Sequence, residues 1–243
     1  MLFGQKKTQR RFCGMQYKKL SIVIPAHNEE DTIKELVDKV KDAPLSIDKE
    51  IIVVENGSTD KTIDILKTIS GIKVEHLPEG VKGKSVAIRK GFELATGDII
   101  IVQDADLEYD PNEYQSLIQP IIDGKAKVVY GSRRLKKQKQ HSHYTFYLGG
   151  QLLTVIANLI YPGLHITDEA TCYKVFDAKL LKAIKLESVR FEFCPEVTAK
   201  LAKMKIPIHE VPISYYPRSK EEGKKINWRD GVEAIWTLVR LRF

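Results

Sequence analysis

The feature that most constrains this chain is a repeated alternation in its first half. Short runs of branched apolar residues are each followed by a stretch with helical spacing. Leu20–Pro25, Glu50–Glu55, Ile72–Leu77, Asp98–Gln103 and Ala126–Gly131 read as strands, and the interiors of most are free of charge. Segments about Glu29–Val40, Thr59–Ile69, Lys84–Ala95 and Pro111–Ile122 read as the helices between them, the last opened by proline in its first turn. Strands apolar on both faces and separated by helices predict a mostly parallel sheet covered on both sides. Such sheets place ligands beyond the carboxyl ends of their strands, so chemistry is expected there.

The second half has a different texture. Gln140 to Thr167 carries no Asp, Glu, Lys or Arg, yet Gly149, Gly150, Gln151 and Pro162 interrupt it too often for a membrane span. On a helix over Tyr144–Tyr161, Tyr147, Gln151, Thr154, Asn158 and Tyr161 share one stripe. Leu148, Leu152, Val155, Ile156, Leu159 and Ile160 share the other. Strands at Tyr173–Phe176 and Ile206–Tyr215 flank a helix near Pro195–Lys203. A last helix near Trp228–Leu241 carries Trp228, Val232, Ile235, Trp236 and Val239 on one face. The apolar faces are expected either to lie in a bilayer interface or to pack on the sheet or on a protein partner, whether a membrane protein or a second copy. Residues 1–17 read as a basic segment and 18–243 as one domain.

Charge and cysteine content narrow the function classes. The net charge of +7 in 243 residues is clustered: Lys6, Lys7, Arg10, Arg11, Lys18 and Lys19 precede the first acid, Glu29. Arg133, Arg134, Lys136, Lys137 and Lys139 form a second run, and Arg218, Lys220, Lys224, Lys225 and Arg229 a third. These suit phosphate groups or an anionic leaflet. No zinc-finger, RNP or helix-turn-helix signature accompanies them, so nucleic acid is not the expected partner. Three widely separated cysteines make no disulfide framework and are read as reduced thiols in a cytoplasmic protein; no signal peptide is visible at the start.

Asp104-Ala105-Asp106 directly follows a buried strand. In extended chain, positions i and i+2 point the same way, so both carboxylates can face one hard cation, Mg²⁺ or Mn²⁺, shared with ligand phosphates. Bare D-x-D pairs are common in solvated turns, and the strand end is what makes this one informative. Glu108 continues the alternation and is expected to assist the metal. Glu55 and Asn56 end another strand, where they are placed to read a nucleotide base, and Pro25-Ala26-His27-Asn28-Glu29 forms a third strand-end loop. Gly83-Lys84-Ser85 lacks the upstream glycine of a P-loop, although Lys84 remains placed to meet phosphate.

In order, IVIPAHNEE, IIVVENGSTDKT, KGKSVAIRKGFELATGD, IIVQDADLEYDP and VVYGSRR resemble glycosyltransferase family 2 enzymes of GT-A fold. ITDEATCYKVF and the segment from FEFCPEV to NWRDG are similar to the branch containing dolichyl-phosphate mannose synthase and polyprenyl-phosphate sugar transferases. The resemblance covers roughly residues 18 to 240. It implies a single Rossmann-like GT-A domain with peripheral amphipathic helices. It also implies inverting, metal-dependent transfer of a sugar from a GDP- or UDP-sugar to a polyprenyl or dolichyl phosphate.

By that resemblance Pro25, Asn28, Glu29, Glu55, Asn56, Lys84, Asp104, Ala105 and Asp106 line the donor site. Asp104, Asp106 and Glu108 hold Mg²⁺ or Mn²⁺, while Arg133, Arg218, Lys224 and Lys225 meet the acceptor phosphate. Asp106, Asp168 and Arg218 form the catalytic set. A lipid phosphate is already an anionic nucleophile and needs no base. A sugar hydroxyl acceptor needs one, and Asp168 is then the first candidate, Glu169 the second. Many relatives continue into membrane helices, whereas this chain ends at Phe243, so the expected location is peripheral, at the cytoplasmic face of a membrane. A nucleotidyltransferase is excluded by the absence of a Gly- and Arg-rich first loop. A non-catalytic nucleotide-binding protein and a basic nucleic-acid-binding protein remain as alternatives.

Overall fold

A computed structural model describes residues 17–136, 144–218 and 228–243. Its first half runs β1 (Lys19–Ala26), α1 (Ile33–Asp42), β2 (Asp48–Glu55), α2 (Thr62–Thr68), β3 (Lys73–His76), α3 (Lys84–Leu94) and β4 (Ile99–Val102). A 3₁₀ turn at Pro111–Glu113 leads into α4 (Tyr114–Ile122), followed by β5 (Val128–Ser132). The second half comprises α5 (Tyr144–Ile160), β6 (Lys174–Asp177), α6 (Ala178–Ala183), α7 (Phe193–Lys203), β7 (His209–Pro212) and α8 (Trp228–Arg242). α6 is the element absent from the sequence reading; Asp177 caps it by accepting from the Leu180 N–H.

The strands form one sheet in the order β3-β2-β1-β4-β6-β5-β7. β6 is antiparallel to β4 and β5, and every other pairing among the described residues is parallel. Both faces are covered, which is why the interiors of β1, β4 and β5 carry no charge. Leu20, Ile22 and Ile24 join α1 and α4 in one core layer, while Val23, Ile52, Val54, Ile100 and Val102 meet α3 and α7 in the other. α3 packs so closely that a Cβ on Gly91 would lie 2.2 Å from Val23 Cγ1.

Strand order reverses between β1 and β4, and the crevice beyond their carboxyl ends is the ligand position typical of such sheets. The β1–β4 ladder ends at Val23 and Val102, with Gln103 donating to the Val23 carbonyl. Pro25, which has no N–H to offer, follows where it stops.

α5 and α8 reverse the usual distribution of polarity. On α5 the polar stripe faces the protein. Asn158 exchanges two hydrogen bonds with the Ile166 backbone, Tyr161 donates to the Leu238 carbonyl, and Thr154 accepts from the Glu169 N–H. Leu148, Leu152, Val155 and Leu159 are left 45–74% exposed, whereas Ile156 and Ile160 turn back onto a small core cluster. α8 buries Ala234, Thr237 and Leu238 and exposes Trp228, Val232 and Trp236. The outer stripes therefore do not pack on the sheet. No helix of the described residues is long and apolar enough to cross a membrane.

Candidate active site

The sequence-predicted donor residues converge on the crevice beyond β1, β2 and β4. Asn28 adopts a left-handed conformation, φ 51°, which turns the loop after β1 toward the loop after β2. Its side-chain oxygen accepts from the Thr59 N–H at 2.7 Å, and its own N–H donates to Ser58. Glu55 is almost fully buried and accepts from the Ser58 N–H and from His76. Burial pushes its carboxyl up, but these hydrogen bonds outweigh it and hold the group below the ordinary glutamate value. Asn56 accepts from the Gly83 N–H at 2.9 Å, tying the β2 end to the start of α3. Only glycine fits there: φ is 140° and a Cβ would lie 2.1 Å from the Val189 carbonyl oxygen.

That contact sets Lys84, the first residue of α3, over the β4 end. Its ammonium is 2.7 Å from Asp104 Oδ1 and 3.6 Å from Cys172 Sγ. Burial opposes the charge, yet Asp104 holds it well above the usual lysine value. Beneath, the fully buried Gln103 accepts from the Tyr114 and Tyr173 hydroxyls and donates to the Asp104 carbonyl, an anchor the sequence reading missed. Ala105 turns its side chain into the core. Asp106 Oδ1 accepts from the Glu108 N–H, and its Oδ2 lies 3.7 Å from Arg218. Arg218 also contacts Glu29 at 3.0 Å, so the segment after β7 closes over the loop after β1.

Glu108 does not continue the alternation. Leu107 is left-handed, φ 59°, and the chain turns before Glu108. Its two oxygens accept from the Tyr215 hydroxyl and the Arg218 N–H. Among the described residues no group of three or more His, Cys, Asp and Glu side chains is arranged to hold a metal ion. Asp104 and Asp106 face the crevice from the end of β4, engaged by Lys84 and Arg218. Two carboxylates suit Mg²⁺ or Mn²⁺ when ligand phosphates complete the shell, so the residues fit such a cation.

A second cluster lies at the end of β5. Asp168 is fully buried, and Arg133 grips both its oxygens, Nε–Oδ2 and Nη2–Oδ1 each at 2.7 Å. Burial raises the Asp168 carboxyl, but the two neighbouring guanidiniums prevail and hold it below the ordinary aspartate value. Asp168, the base expected for a hydroxyl acceptor, is shut off from solvent with both oxygens facing arginine. Arg133, expected at the acceptor phosphate, gives Nε and Nη2 to Asp168, and its plane lies over Tyr215, 4.9 Å from the ring centre. Glu169, the alternative base, is enclosed, and burial pushes its carboxyl up. Glu210, unremarked in the sequence, accepts from the Thr167 and Asp168 N–H groups and fixes the loop. Lys224 and Lys225 lie outside the described residues.

The crevice at the switch point thus carries Asp104 and Asp106, with a basic cluster at the end of β5. The family described as Glycosyl transferase family 2 matches residues 21–184. The chain belongs to glycosyl transferase family 2. It is 28% identical over 212 residues to a dolichol-phosphate mannosyltransferase of Pyrococcus furiosus, covering 85% of this chain and 59% of that protein. It is likewise 28% identical over 250 residues to a UDP-N-acetylglucosamine–dolichyl-phosphate N-acetylglucosaminyltransferase of Methanococcus voltae, covering 94% and 98%. Among solved structures, glucosyl-3-phosphoglycerate synthase from Mycobacterium tuberculosis, in complex with Mn²⁺, UDP and glucosyl-3-phosphoglycerate, superposes with a TM-score of 0.72. That likeness, at 19% identity over 92% of this chain and 80% of the other, is one of fold, and the fold is GT-A.

Proposed function

We propose that this family 2 protein transfers a sugar from a nucleotide-sugar to a polyprenyl phosphate at a membrane surface, with inversion at the anomeric carbon. The observation that carries the reading is the Asp104/Asp106 pair at the β4 end, faced by Lys84 and Arg218. Both relatives named above act, by their names, on dolichyl phosphate, which supports the acceptor class. Because the chain spans only part of the Pyrococcus protein, the activity of the whole remains part of the proposal.

In this reading Asp104 and Asp106 hold a divalent cation, which when bound supplies Lewis-acid stabilisation of the leaving diphosphate. Glu55 and Asn56 meet the base, and Lys84 and Arg218 swing from carboxylate to phosphate oxygens. No residue has to remove a proton, since the acceptor oxygen is already anionic. Asp168 is then a positioning residue that aligns Arg133 and, through it, Tyr215 and Glu108. The outer stripes of α5 and α8, with Arg229, Arg240 and Arg242 on α8, form the membrane-facing surface.

The test is transfer from labelled GDP- and UDP-sugars to polyprenyl phosphate, followed by organic extraction. Labelled lipid should form with Mn²⁺ or Mg²⁺ and disappear with excess EDTA or in Asp104→Ala. Turnover that persists in EDTA rejects the metal. Product formed only on hydroxyl acceptors rejects the lipid phosphate.

A further inference from the structure

Two half-buried cysteines that no step of the proposed chemistry uses meet beside Lys84. Cys172 lies just before β6, and Cys194 sits in the first turn of α7. The Cys194 thiol donates to the Thr171 carbonyl at 3.5 Å, directly beside Cys172 in the chain. The two sulfurs are joined by a hydrogen bond in which Cys172 is the donor. That bond, with burial, pushes the Cys172 thiol well above its ordinary value. It holds the Cys194 thiol below, against burial and the nearby Glu169, with Lys174 and Lys84 assisting.

Both cysteines are tied to the first turn of α3. Lys84 Nζ lies 3.6 Å from Cys172 Sγ, and the Phe193 N–H, next to Cys194, donates to Ser85 Oγ at 3.1 Å. On its other side the Cys172 N–H donates to the Tyr109 hydroxyl, and Tyr109 packs on Tyr215 with ring centres 5.3 Å apart. Thr171, Tyr173 and Phe193 are buried, so a movement of either sulfur is passed on rather than absorbed. A disulfide holds its sulfurs about 2.05 Å apart, well inside hydrogen-bond separation. Closing the pair therefore draws Cys172 toward α7 and off Lys84, and shifts the turn that sets the Lys84 ammonium over the β4 end.

We infer that Cys172 and Cys194 form a redox modification site: hydrogen peroxide closes them into a disulfide, which weakens nucleotide-sugar binding at Lys84. Formation of the bond stands apart from the proposed function, whereas its effect on donor binding rests on it. Cys194 Sγ attacks one peroxide oxygen and the O–O bond breaks. That oxygen stays on sulfur as a sulfenic acid, and the other leaves as water with the thiol proton. Cys172 Sγ then attacks Cys194 Sγ, the S–O bond breaks, and a second water leaves with the Cys172 proton. The two thiols lose two electrons and two protons, and one peroxide becomes two waters. A small dithiol reopens the bond by exchange.

The experiment uses the full chain with Cys13→Ser, which leaves the pair as its only thiols. Intact mass, peptide mapping and calorimetric binding of UDP- and GDP-sugars with Mn²⁺ are read before peroxide, after it, and after dithiothreitol. Peroxide should remove two hydrogens from the mass, link the peptides carrying Cys172 and Cys194, and weaken donor binding about 10-fold. Dithiothreitol should reverse all three. Cys194→Ala and Cys194→Ser, checked for folding by melting temperature, should bind donor as the reduced protein does and keep that affinity in peroxide. Two free thiols after peroxide overturn the inference. A disulfide that leaves donor affinity unchanged overturns its regulatory effect, as does an equal loss of affinity in Cys194→Ala. Reduced protein that binds no nucleotide-sugar refutes the proposed function, while a Cys172–Cys194 link found by mass in that protein still upholds the modification site.

Discussion

Replacing Asp168 by asparagine separates a pinned carboxylate from a catalytic base. In the folded protein Asp168 is fully buried and accepts two side-chain hydrogen bonds from Arg133, plus the Arg133 N–H at 3.0 Å. Asparagine keeps the shape but removes the charge, leaving Arg133 buried opposite a neutral amide. Breaking a buried ion pair from one side costs about 3–5 kcal/mol. For a chain of this size each kcal/mol shifts the melting temperature by about 2–4 °C, so Asp168→Asn should melt about 6–20 °C below wild type. The assay is thermal unfolding by circular dichroism at pH 7 and at lower pH. The folded carboxyl is held below its unfolded value, so its stabilisation is complete above the unfolded value of about 4 and is lost as pH falls through the folded one. The difference between variant and wild type should therefore shrink in acid. Arg133→Gln/Asp168→Asn should recover part of the loss, since the Arg133 charge is then no longer left opposed by an amide. An Asp168→Asn protein that melts with wild type at neutral pH yet is inert in transfer would refute the pin and restore the base.

Three further outcomes follow from the same contacts. Gly83→Ala should destabilise by about 2 kcal/mol or more, read from the urea midpoint, because φ is 140° and its Cβ meets the Val189 carbonyl. Lys84→Met should weaken nucleotide-sugar binding about 10-fold or more by calorimetry, through loss of the charge that faces Asp104; unchanged affinity would remove Lys84 from the donor site. Trp228→Ala/Trp236→Ala should leave stability within about 0.5 kcal/mol, both rings being more than 60% exposed, while binding to anionic liposomes at low salt falls; equal sedimentation of wild type and variant would point to another surface.

The parallel half of the fold was legible because its signal is local. A strand covered on both faces is apolar throughout, and the helix between two such strands follows within a few residues. The place of Asp104 and Asp106 just beyond β4 was legible for the same reason, since a strand end can be found from the strand. Glu108 was misplaced because alternation holds only in extended chain, and nothing in LEYDP announces a left-handed Leu107. α6 is six residues long, with Asp177 as its chief signal. The Arg133–Asp168 pair joins residues 35 apart, and the role of each depends on the other. Residue type suggested a phosphate ligand and a base but said nothing of the contact between them. Period sorted the stripes of α5 except for Ile156 and Ile160, which turn inward, but period alone does not say which stripe faces in. The choice was made by Ile166, Glu169 and Leu238, whose backbone groups needed the polar side chains.

Charge explains how the cluster at the β4 end can stand ready before its ligand. At the β4 end, Asp104, Asp106 and Glu29 face Lys84 and Arg218, a set close to balance before any ligand arrives. On the proposed reading, a nucleoside diphosphate and a divalent cation enter with opposite charges that largely cancel. The two cationic side chains can therefore move from carboxylate to phosphate without leaving a buried charge unmet.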